Sequence, residues 1–123
     1  MTPAMVLCQY IENETGYKIG IDLFAGVMPA SKEVGIILSD FGGSENETNV
    51  VKAGVQVIAI YDDYATSVKK CQEIHNFLVY TNGFYVGDSY IFNCIPLSLP
   101  KFLHQNEKGH ILSTASIVCI KER

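Results

Sequence analysis

Few residues in this chain have both the type and the spacing to do chemistry. Ser39-Asp40-Phe41-Gly42-Gly43 contains the Asp-Phe-Gly triplet that holds metal-bound phosphates in a protein kinase. That use needs a Gly-rich phosphate loop, a strand lysine and a His-Arg-Asp loop with its asparagine. None is present, and the run nearest to the lysine strand, Val57-Ile58-Ala59-Ile60, is followed by Tyr61. The triplet therefore reads as the exit of a strand. Asp62-Asp63 offers two carboxylates for metal or acid–base work, but adjacent side chains diverge, and acids at this point suit the N-cap and first turn of a helix. Ser113 and Ser116 with His75, His104 and His110 could supply a nucleophile and a base, yet no nucleophile-elbow pattern surrounds either serine. Cys8, Cys71, Cys94 and Cys119 lie far apart among apolar neighbours, without the close pairs of a zinc site. They read as buried free thiols. No catalytic, cofactor or metal constellation emerges, and an enzyme is not expected.

Composition narrows the field further. The 123 residues suit one compact domain, residues 1–123, with a single core. At 48% hydrophobic and 18% charged residues the chain is apolar for a free monomer, whose charged share is about a quarter. Part of that surface is expected to be buried against partners. No uncharged apolar run reaches the length of about 18 residues needed to span a membrane, and no basic stretch precedes Met5-Val6-Leu7-Cys8, so an intracellular protein is expected. The sequons Asn13-Glu14-Thr15 and Asn46-Glu47-Thr48 then carry no glycosylation meaning. Net charge is −4, and no cation cluster exceeds Lys69-Lys70, which disfavours a grip on nucleic acid. An acidic wall past which DNA slides remains compatible.

The elements that would position these residues follow from periodicity. Thr2-Pro3 starts a helix over 3–14, with Ala4, Leu7, Cys8 and Ile11 as its apolar stripe. A short strand is expected near 22–27 and a buried one over Val34–Ser39, leaving through Asp40–Gly43 into a polar loop, Ser44–Asn49. Gly54–Tyr61 alternates as a strand, and a helix over 63–80 carries Val68, Cys71, Ile74 and Leu78 on one stripe until Asn82-Gly83. Tyr90–Ile95 is a strand, Pro96 and Pro100 bound a loop, Leu103–Gly109 is an exposed turn, and His110–Ile120 is the last strand. The expected fold is α+β: a mainly antiparallel sheet of four to five strands, a long helix on one face and a short N-terminal helix. Tyr61, Tyr64, Tyr80, Tyr85 and Tyr90, with Phe77, Phe84 and Phe92, fit core and subunit-interface packing better than a ligand pocket.

Three segments resemble one family: Gly26-Val27-Met28-Pro29 ahead of the strand that ends in Ser39–Gly43, the strand-to-helix block 55–78, and the polar turn and closing strand 106–123. Over roughly residues 24–123 the chain resembles the small tail terminator proteins of long-tailed bacteriophages. The resemblance implies a non-enzymatic virion protein without cofactors. It would assemble head to tail, as a hexameric ring, on the last ring of the tail tube. Its partners would be copies of itself, the tail tube protein and a head connector or head-completion protein, with DNA only passing through the lumen. Under that reading the docking candidates are Ser44, Glu45, Asn46, Glu47, Thr48 and Asn49 in one loop. In the loop Pro96–Lys108 they are Phe102, His104, Asn106, Glu107 and Lys108. The alternatives are another ring-forming neck protein, a small-ligand-binding α+β module, and a small hydrolase or nuclease.

Overall fold

Thr2 caps helix α1 (Pro3–Glu14) by accepting from the Met5 N–H at 3.3 Å, and Pro3 occupies a first-turn position where its missing N–H costs nothing. The computed structural model describes residues 1–45, 50–81 and 83–122. Ala4, Leu7, Cys8 and Ile11 are buried along the stripe that their spacing defines. After α1 come strands β1 (Leu23–Ala25), β2 (Gly35–Glu45) and β3 (Val50–Tyr61), then helix α2 (Tyr64–Val79), and finally β4 (Phe84–Val86), β5 (Ser89–Gln105) and β6 (Ile111–Glu122).

The six strands form one sheet in the order β1-β2-β3-β6-β5-β4. This corrects the expected α+β sheet of four to five mainly antiparallel strands with a long covering helix. Strand accounts for 49% of the residues and helix for 25%, and the sheet is mixed and curled like half a barrel around two short helices. The difference arises in three places. β1 joins β2 in parallel, with Phe24 opposite Ile37. The hairpin β4–β5 turns through Gly87-Asp88, where Gly87 at φ 57° supplies the left-handed first position of a two-residue turn. β5 continues through both prolines instead of giving way to a loop at Pro96.

Both helices pack on one face of the curled sheet. Val6, Leu7, Ile11, Cys71, Ile74 and Leu78 meet Ile36, Leu38, Val55, Val57, Ala115 and Ile117 in a continuous core. Tyr10 of α1 stacks on Phe84 of β4 with ring centres 3.7 Å apart, so α1 reaches from β2 to β4 at the far edge of the sheet. On the opposite face Phe24, Ile37 and Ile60 form a smaller buried cluster beneath Met28.

Candidate functional site

The Asp-Phe-Gly stretch is a bulge inside β2, which corrects its reading as a strand exit. Asp40 lies opposite Val55 and Gly43 opposite Ala53, so Phe41 and Gly42 are set against Gly54 alone. Gly42 takes φ 54°, a left-handed conformation that suits glycine. Phe41 lies across Gly54 so closely that a Cβ there would sit 2.6 Å from its ring. Asp40 Oδ1 accepts the Ala4 N–H at 2.9 Å and so satisfies one of the free donors at the start of α1. The three residues thus tie β2 to α1 and β3.

The acid pair divides in the same structural way. Asp63 is the N-cap of α2: Oδ1 accepts the Thr66 N–H at 2.7 Å, Oδ2 accepts the Thr66 hydroxyl at 3.0 Å, and these bonds hold its carboxyl below the usual range. Asp62 does not cap the helix; its Oδ1 lies 3.1 Å from His110 Nε2 at the start of β6. One turn into α2, Ser67 is fully buried, with its Oγ 2.9 Å from the Ala59 carbonyl, 3.0 Å from the Ile111 carbonyl and 2.8 Å from Ser113 Oγ. Ser113, one of the serines considered as a nucleophile, is therefore part of a buried polar link between α2 and the sheet.

All four cysteines are buried and free. Burial pushes the thiols of Cys8 and Cys71 up to about 12, and the sulfur contact with Cys119 together with burial raises Cys94 as well. Cys94 and Cys119 are direct partners across β5 and β6. Among the described residues, no group of three or more His, Cys, Asp and Glu side chains is placed to hold a metal ion. An open cleft of about 380 Å³ is lined by Tyr17, Asp22, Lys70, Glu73, Ile74 and Phe77, and the Tyr17 hydroxyl donates to Glu73 Oε1 at 3.0 Å. None of the five tyrosines considered for a ligand pocket lines it; Tyr64, Tyr80 and Tyr85 lie exposed on the surface.

The docking candidates are dispersed by the extended strands. Ser44 and Glu45 are the last residues of β2, opposite Lys52 and Val51, and Asn46, Glu47, Thr48 and Asn49 lie outside the described residues. Phe102 and His104 belong to β5, opposite Ser113 and Leu112, and Phe102 packs against Tyr64 with ring centres 5.7 Å apart. Asn106, Glu107 and Lys108 do form a turn, closed by Asn106 Oδ1, which accepts the N–H groups of Lys108 and His110 at 3.0 and 2.9 Å. Lys108 Nζ reaches Glu33 at 3.6 Å, joining that turn to the β1–β2 connection.

Sequence reasoning placed a docking element at Pro96–Lys108 but missed that most of it is the open edge of β5. β4 pairs only with Ser89–Ile91, so from Phe92 to Gln105 no strand among the described residues lies along its outer side. Along that length Phe92, Ile95, Leu97, Leu99, Phe102 and Leu103 are exposed, with Leu97 at 59% and Leu99 at 75%. An open edge dressed with large apolar side chains is a liability in a monomer and an asset in a subunit. The available signal was the alternating Leu97-Ser98-Leu99, discounted because prolines flank it.

A curled sheet with an apolar open edge is the build of an assembling structural subunit. The chain belongs to the bacteriophage tail terminator proteins: the family described as "Bacteriophage tail terminator protein" matches residues 10–123. The match takes in all three segments that carry the resemblance and extends into α1. It makes the chain a structural component of a phage tail. No curated protein matches the sequence.

Proposed function

We propose that this subunit forms a closed ring, a hexamer on the analogy of the resemblance, that caps the tail tube, stops its polymerisation and offers the joining surface for the head. The observation that carries this reading is the open β5 edge in a member of this family: its apolar side chains need a partner, and repeated head-to-tail contact between identical subunits closes a ring. A ring between tube and head needs two axial faces. β2 ends and β3 begins beside Glu122, whereas the turn Asn106–Lys108 lies at the other end of β6, about 35 Å away at 3.3 Å per residue. The candidates Ser44 and Glu45 on one side and Asn106–Lys108 on the other thus suit different partners, one the tail tube protein and the other a head connector or head-completion protein. A net charge of −4 suits a lumen through which DNA moves without adhering.

Light scattering on the purified protein, alone and with the tail tube protein of the same phage, tests the reading. A ring-sized species in either sample is expected; a monomer in both would overturn it.

A further inference from the structure

We propose that neighbouring subunits of that ring meet at opposite ends of the sheet: Leu99 on the β5 edge of one copy seats in the apolar cleft beside α1 and β1 of the next, with Leu97 packing at its rim. The assignment rests on the ring reading and specifies its contact. The cleft, about 150 Å³, is lined by Met1, Met5, Cys8, Gln9, Ile19 and Ala25. Its volume is about five times the share of one water molecule, about 30 Å³, which is of the order of one aliphatic side chain. Met1, Met5 and Ile19 are exposed there without apolar cover from the described residues.

Position favours a second copy as the occupant. A single row of paired residues crosses the sheet from Lys101 in β5 through Thr114, Ile58 and Ile37 to Phe24 in β1. Knob and cleft therefore flank the two ends of one row, about 19 Å apart along the curled sheet at 4.8 Å per strand. Contact between different patches at the same level along the strands adds rotation without a climb, the condition for a ring instead of a helical filament. Charge agrees with this pairing. β5 carries Lys101 and no acid, whereas α1 carries Glu12 and Glu14 and no base. Pro96 and Pro100 remove two N–H donors from β5, so side-chain insertion, more than an extended backbone ladder, makes the contact.

The test mixes two full-length variants, Leu99→Cys and Met5→Cys, both carrying Cys8→Ser to remove the thiol that lines the cleft, with the tail tube protein and a short bis-maleimide; the other native thiols are buried. A cross-linked dimer is expected in the mixture and not with either variant alone. Leu97→Asp/Leu99→Asp should lower the ring-sized fraction at least tenfold while circular dichroism and the thermal midpoint stay unchanged, and Tyr80→Asp, exposed elsewhere, should keep the ring. If both aspartate substitutions leave the ring intact and no cross-link forms, the contact lies elsewhere and only this inference falls. If the unaltered protein stays monomeric with and without the tube protein, the ring reading falls and this inference with it.

Discussion

Ser67 and Ser113 are fully buried, and a hydroxyl taken out of water without a partner costs about 1–3 kcal/mol. Ser67→Ala should therefore destabilise the protein by about 1–3 kcal/mol, because it strands the Ser113 hydroxyl. The double variant Ser67→Ala/Ser113→Ala should cost less than the sum of the two single changes, since nothing is left stranded. Urea unfolding of the four proteins measures the coupling, and strict additivity would show that the two hydroxyls do not act as a pair. Asp63 gives a prediction with a sign in pH. Its carboxyl is held low in the folded state, so its capping contribution is fully present above the ordinary carboxylate range and is lost as pH falls through the folded value. Asp63→Ala should lower the unfolding midpoint at pH 7, and Asp63→Asn, which still caps, should largely keep it. The deficit of the alanine variant should shrink in acid; a deficit equal at pH 7 and pH 2 would exclude the carboxylate as its source.

The bulge in β2 and the glycine in β3 act together as one joint. Gly54 leaves room for Phe41, and a methyl group in that space would press on both its ring and its carbonyl oxygen. Gly54→Ala is expected to destabilise by about 1–3 kcal/mol through overpacking. Pairing it with Phe41→Ala should recover part of the loss, as chemical denaturation would reveal. These elements also show where sequence reasoning holds. α1 and α2 were legible because apolar spacing and the caps Thr2 and Asp63 agree on their bounds. β3 and β6 were legible in their middle stretches from alternation, although β3 begins earlier, at Val50. The rest failed for physical reasons. Gly42 and the two prolines of β5 are punctuation in an isolated strand, but bulges and open edges accommodate both residue types. β4 is three residues long, and its signal was the Gly87-Asp88 turn, not its own pattern. The docking element Pro96–Lys108 was read as an irregular loop with Phe102 and polar residues as its candidates, whereas Leu97 and Leu99, between its prolines, are exposed apolar side chains on an open strand edge.

Across the whole molecule, buried acids of high pKa set the limit of alkaline stability. Cys8, Cys71 and Tyr61 are each raised to about 12 by burial, with nearby carboxylates adding to Cys8 and Tyr61. Their folded values lie above the unfolded ones, so their contribution is complete below the unfolded pKa, about 8.5 for cysteine and about 10 for tyrosine, and disappears as pH rises toward 12. The thermal midpoint should therefore fall steadily from pH 9 upward. Tyr17 and Tyr61 should ionise above the ordinary tyrosine value of about 10, as tyrosine absorbance would follow. A single tyrosine transition near pH 10 would contradict the burial of these two.

The prolines in the open edge bear on the time before assembly. Under the proposed ring reading a subunit stays unassembled until a tube end is available, and a long apolar strand edge is a template on which identical chains stack into cross-β fibrils. Pro96 and Pro100 interrupt that template, because each lacks the N–H that the next strand in a fibril would use. The same edge can therefore stay adhesive to one shaped partner while resisting indiscriminate stacking, which lets a pool of unassembled protein persist in a crowded cell.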